Sequence, residues 1–231
     1  MTDQPNPDIP AHPAAFQFRL KHLADRLAGS GPIKIVALGS SSTAGRGDVI
    51  PYPYRLEVIL RGKYQPRIIN VINRGRGGEE APDEVKRIAS DVLAENPAVV
   101  IWQIGTTAAW QRRDPRTIEA ALADGLAQLA GREMDIVLMD PQFVPALVQP
   151  PVMLRAAEQM VQLIVDVAAN ARVNVFQRFA LMRAWHEGEG VAFDTLVDMT
   201  DPDRLHQSDW STQRVAIALS EAIRDGLALP A

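Results

Sequence analysis

The chain has 231 residues, 47% of them hydrophobic and 23% charged, the balance of an ordinary globular protein long enough to bury a full core. Its net charge of -4 offers no electrostatic footprint for nucleic acid or an anionic membrane, and no apolar run nears the roughly 20 residues of a membrane-spanning helix. With no Cys, disulfides, thiolate metal sites and Cys nucleophiles are excluded.

The first 13 residues carry Pro5, Pro7, Pro10 and Pro13, with neither the basic start nor the apolar stretch of a secretory signal. They are expected to form a disordered tail, and the protein is expected to be cytoplasmic. Residues 16–27 place Leu20, Leu23 and Leu27 at helical spacing before Gly29 and Gly31. Residues 33–38 (IKIVAL) are a β-branched apolar run, the mark of a buried strand. A helix over residues 54–60 and a strand over 68–72 follow, then a helix opening near Pro82 with Val85, Ile88, Ala89 and Leu93 on one face. The alternation continues with a strand at 99–104, a helix at 115–129, a strand at 136–139, a helix at 153–169, a strand at 173–176 and a last helix at about 210–227. Strand and helix alternating over short links predict a three-layer α/β/α sandwich around a five-stranded parallel sheet, flavodoxin-like in class. No linker or repeat divides residues 14–231, which read as one domain.

The first strand runs into Gly39-Ser40-Ser41-Ser42-Thr43-Ala44-Gly45, a hydroxyl-lined turn at the strand's carboxyl end, where open sheets place their ligands. Such a loop suits a nucleophilic Ser or a phosphate cradle, and a plain surface turn has the same composition. Near the other end stands Asp201-Pro202-Asp203-Arg204-Leu205-His206, followed by Asp209 and Trp210. An Asp three residues before a His can accept from ring Nδ1 and leave Nε2 as a base for a Ser that the fold brings near. Oxyanion donors are then needed, and the loops at Gly75 and Gly105 end strands at the same edge. His12, His22 and His186 have no such setting.

These blocks, in this order, resemble the SGNH (GDSL-type) esterase family over about residues 33–225. The resemblance puts Ser41 on the nucleophile, Asn73-x-Gly75-x-x-Gly78 on the second block with Gly75 as oxyanion glycine, Gly105-Thr106-Thr107-Ala108 on the third block, and Asp203 and His206 on the last. It implies a cofactor-free, metal-free serine esterase for small acyl esters. In it Ser41 attacks, His206 moves the proton, Asp203 orients His206, and the amides of Ser41 and Gly75 hold the oxyanion with Thr107. Asp201 and Asp209 are rivals to Asp203, which alone has the family spacing. Three residues depart from the pattern: Ser40 replaces an acid, Ala108 replaces an Asp, and Thr107 replaces the oxyanion-hole Asn. The last exchanges an amide donor for a shorter, β-branched hydroxyl. Two other readings therefore stand beside the esterase: a flavodoxin-like phosphate or flavin-binding module, and a catalytically impaired relative that binds its ligand. Phe179, Met182, Trp185 and Phe193 are candidates for an acyl pocket or for the core.

Overall fold

The computed structural model describes residues 15–230, so the expected tail over residues 1–13 lies outside the described residues. Five strands form one parallel sheet in the order β2-β1-β3-β4-β5: β1 Ile33–Gly39, β2 Ile69–Gly75, β3 Val99–Gln103, β4 Asp135–Met139 and β5 Asn174–Phe176. The interior strands β1 and β3 are almost wholly buried, because helices cover both faces, and that is why they read as apolar runs broken only by Lys34 and by Gln103 at the end of β3. On one side, α1 Lys21–Ala28, α3 Tyr52–Lys63 and α12 Asp209–Ala228 pack together; on the other, α7 Pro115–Leu129 and α9 Pro151–Ala171 pack on each other. Among the described residues no helix is long and apolar enough to cross a membrane.

The α7 boundaries coincide with the expected ones because Asp114 caps the helix, accepting from the Arg116 amide at 3.0 Å, and Pro115 opens it. The expected helix after Pro82 is instead broken into α4 Ala81–Glu84, a 3₁₀ turn Val85–Arg87 and α5 Ile88–Asp91. Here Arg87 turns inward and donates to the strand-end carbonyls of Arg74 (2.7 Å) and Gly39 (3.2 Å). Four short helices escape the periodicity argument, since each has too few residues to show a face: α6 Thr106–Gln111, α8 Pro145–Val148, α10 Arg178–Arg183 and α11 Phe193–Leu196. Strand β2 runs past residue 72 to Gly75, which pairs with Gly39 at the end of β1. The chain leaves β1 for β2 and then crosses back to β3, so the crevice between the ends of β1 and β3 is the sheet's switch point.

Candidate active site

Ser41 is the first residue of α2 (Ser41–Ala44), a single turn directly after β1. The hydroxyls around it have separate fates. Gln103 Oε1 at the end of β3 accepts from the Ser40 amide (3.1 Å), the Ser40 hydroxyl (3.1 Å) and the Thr43 hydroxyl (3.2 Å). Ser42 is buried and its hydroxyl has no partner among the described residues. Only Ser41 faces a base: its Oγ lies 3.0 Å from His206 Nε2.

His206 Nδ1 meets Asp201 Oδ2 at 2.7 Å, which corrects the expected orienting residue from Asp203 to Asp201. The reason is the turn itself. Arg204 sits at φ 52, its amide donates to the Asp201 carbonyl at 3.0 Å, and the chain folds back over Asp201. Asp201 Oδ2 thereby also accepts the amides of Leu205 and His206, each at 2.9 Å. Asp203 points to solvent, and its own amide donates to Asp201 Oδ1 at 3.3 Å. Asp209, the other rival, is engaged by Arg55 and by the Ile50 amide. Burial works against charge on Asp201, but hydrogen bonds from the His206 amide and ring and from the Leu205 amide outweigh it and hold the carboxyl at about 2. Arg46, just past α2, adds a guanidinium at 3.1 Å from Asp201 Oδ1.

The oxyanion donors also need revision. Ser41 N–H, at the start of a helical turn, has no acceptor among the described residues, but the Gly75 amide is spent on Asn73 Oδ1 at 2.9 Å. Gly75 is needed for another reason. A Cβ there would lie 2.2 Å from the Ala44 amide nitrogen, so only glycine lets β2 pass this close to α2. Asn73 closes the same junction, donating from Nδ2 to the Thr43 carbonyl at 2.8 Å. The next turn reaches Ser41 instead: a Cβ on Gly77 would be 3.9 Å from Ser41 Cβ. In that turn Arg76 O accepts from Glu79 N, Gly78 takes φ 81, and the Gly77 and Gly78 amides have no acceptor among the described residues.

The third loop is held by a residue to which sequence reasoning assigned no part. Buried Glu80 accepts the amides of Ala108 (2.7 Å), Gly105 (2.9 Å) and Ala81 (3.0 Å). Burial raises the Glu80 carboxyl and those three amides oppose the rise. Glu84 is lifted well above the usual range by burial and then by Glu80, while the Trp102 indole donates to it at 2.7 Å. Thr107 is buried in the first turn of α6, and its side chain makes no hydrogen bond among the described residues. Its neighbour Thr106 is the one tied in, donating to Gln142 Oε1 at 2.9 Å and accepting from Arg178 Nη2 at 3.4 Å. Phe179, Met182 and Trp185 are core residues, each no more than 4% exposed; Phe193 is half-buried and stacks on Phe143.

Behind this layer Asp140 is fully buried. Its Oδ1 accepts from the Phe179 amide at 2.9 Å, and its Oδ2 has no partner among the described residues. Burial pushes the carboxyl up to about 7, only partly countered by the Phe179 amide and the Arg178 charge. Because the folded value lies above the unfolded one, the linked stability is present below about pH 4 and is lost as pH rises through about 7. Asp140→Asn should therefore cut the fall in unfolding free energy between about pH 5 and pH 8.5, by up to about 3 kcal/mol, in urea titrations at both pH values. An equal fall in variant and parent would show that Asp140 ionises freely.

The site opens as a small cavity between Ser41, Arg46, Val49, Pro51 and His206. Two larger clefts, of about 430 Å³ beside Leu129 and Met134 and about 320 Å³ beside Arg113 and Met160, share no residue with it.

The non-GDSL lipase-like family matches residues 6–229. No curated protein matches the chain. Among solved structures, a lipase/acylhydrolase from Enterococcus faecalis is similar at TM-score 0.69 and 22% identity, over 83% of this chain and 95% of that one. A catalytic mutant of an acetylxylan esterase from Geobacillus stearothermophilus gives 0.68 and 22%, over 87% and 96%. An α/β hydrolase from the metagenome of Lake Arreo, Spain, gives 0.71 and 19%, over 86% and 98%. At these identities the likeness is one of fold. The family match spans nearly the whole chain, and Ser40 stands bonded to Gln103 where the Gly-Asp-Ser pattern has its acid. The chain belongs to the non-GDSL lipase-like family and has the SGNH-type hydrolase fold.

Proposed function

We propose that the protein is a serine esterase that cleaves small acyl esters through an acyl-enzyme. The observation that carries this reading is the relay from Asp201 through His206 to Ser41, with contacts of 2.7 and 3.0 Å. In neutral His206, Nδ1–H donates to Asp201 and Nε2 accepts from the Ser41 hydroxyl. Ser41 Oγ bonds to the ester carbonyl carbon as its proton passes to His206 Nε2. The oxyanion gathers at Ser41 N–H and the turn amides of Gly77 and Gly78, at the positive end of α2. Collapse breaks the carbon–alkoxy bond, and His206 returns the proton to the leaving alcohol. Water, deprotonated by His206, then releases the acid and restores Ser41. The cavity beside Ser41 is no roomier than about one water molecule, so it holds no long acyl chain. Hydrolysis of p-nitrophenyl esters of graded chain length, with fluorophosphonate labelling mapped to Ser41, tests the reading. A folded protein that neither turns over nor labels would overturn it.

Thr107 supports a second reading, an impaired esterase that chiefly binds. Its hydroxyl has no partner among the described residues, so restoring an amide donor there has a readable effect. Thr107→Asn should raise kcat about tenfold with KM little changed, because the interaction strengthens in the transition state. Thr107→Val removes only the hydroxyl. If Val loses activity while Asn gains none, Thr107 already donates and the hole is complete. Normal ligand binding with no turnover in all three proteins would establish the binding reading.

A further inference from the structure

We propose that Arg46 is a positioning residue of the relay: its guanidinium, carried by the nucleophile's own loop, moderates the negative charge that Asp201 presents to His206. Arg46 Nη1 lies 3.1 Å from Asp201 Oδ1, the oxygen that His206 leaves free, and 3.9 Å from Asp198 Oδ2. Asp201 is 1% exposed and Arg46 40% exposed, so this guanidinium reaches the carboxylate from the solvent side. The result is a ring: Ser41 to His206, His206 to Asp201, Asp201 to Arg46, and Arg46 back to Ser41 through the four residues of chain between them.

The remaining charges around the pair are placed elsewhere. Asp198 keeps its carboxylate on the Thr200 amide (2.9 Å) and hydroxyl (2.8 Å) and adds a second negative charge beside Arg46. Asp203 is in solvent, Arg204 pairs with Asp194, and Asp209 at the start of α12 pairs with Arg55. From α10, Arg178 bonds Gln207 Oε1 at 3.2 Å, one residue beyond the imidazole. Arg46 is thus the cation on the Asp201 carboxylate itself. Two carboxylates against one guanidinium leave the cluster net negative, which argues against a seat for an anionic substrate and for an internal electrostatic role.

The direction of the effect follows from charge. An imidazolium gains from a bare carboxylate at Nδ1 and gains less when a guanidinium shares it. Deleting the cation should therefore move the acid limb of activity upward. Deleting Asp198 should move it downward. A residue acting only through packing would lower the plateau and leave the limb in place.

The role in rate rests on the esterase reading, so the test has an arm that needs no substrate. Proton NMR titration of the His206 ring, assigned by its loss in His206→Gln, is run on the full chain and on Arg46→Met, Arg46→Lys and Asp198→Asn. Alongside it, kcat/KM for p-nitrophenyl acetate is measured across pH. In Arg46→Met the ring midpoint and the acid limb should both rise by about 0.5 pH unit, a modest effect because the guanidinium is partly solvated. Arg46→Lys should restore them, and Asp198→Asn should shift them the other way. A moved ring midpoint in a protein that cleaves no ester supports the coupling and removes the esterase reading instead. An unmoved midpoint in folded Arg46→Met overturns the proposal. So does an upward shift in Asp198→Asn, which decides the matter should Arg46→Met not fold.

Discussion

Ser41→Ala is expected to lower kcat for p-nitrophenyl acetate by on the order of 10⁶, to the level left by binding and oxyanion contacts alone. The fold should be untouched, because the Ser41 side chain bonds only His206 and the first turn of α2 is held by Ser40, Thr43 and Asn73. Its neighbours supply the contrast. Ser40→Ala removes one of three bonds to Gln103, costing about 1 kcal/mol of stability, and leaves the relay standing. Ser42→Ala deletes a buried hydroxyl that has no partner among the described residues, so stability and rate should both be preserved. Circular dichroism and initial rates on the three variants check this. If Ser42→Ala proved to be the folded, inactive one, the assignment of Ser41 would collapse.

The second large effect separates two aspartates two positions apart. Asp201→Asn should lower kcat by about 10⁴, because an Asn oxygen or amide at Nδ1 no longer holds the tautomer that leaves Nε2 as acceptor, nor stabilises the imidazolium. Asp203→Asn should stay within about twofold, as expected of an exposed residue whose carboxylate bonds nothing in the relay. Asp201→Asn also removes a carboxylate that burial disfavours and hydrogen bonds hold at about 2. Because that folded value is depressed, its stabilisation is present above about pH 4 and fades as pH falls through about 2, so neutral pH shows the full loss. The kinetic comparison is made at pH 8 on protein confirmed folded. A dead Asp203→Asn beside an active Asp201→Asn would return the orienting role to Asp203.

That pair of residues shows where sequence is readable and where it is not. Strand and helix periodicity survives in the fold because β1, β3, α7 and α9 are long or fully buried, and burial writes itself into composition. Ser41 and His206 stand out for a related reason, since strand ends and the start of the last helix are set by the same periodicity. Asp201 does not stand out, because its reach to His206 depends on Arg204 entering the left-handed region, and no side chain announces that. Glycine is equally mute about purpose. Gly75, Gly77 and Gly78 are three small residues in four, yet the first allows two backbones to touch and the other two leave amides free. Glu80 was invisible for the opposite reason: a charged residue in a polar stretch reads as solvent-facing until three amides are seen converging on it.

Those three amides have a consequence for how such a site changes over time. Glu80 fixes the backbone on both sides of Thr107, at Gly105 and at Ala108, so the loop keeps its path whichever side chain stands at 107. Contour and chemistry are therefore inherited separately. One buried acid maintains the socket, and substitution at a single neighbouring codon can refit it with amide, hydroxyl or methyl without dismantling the wall around it.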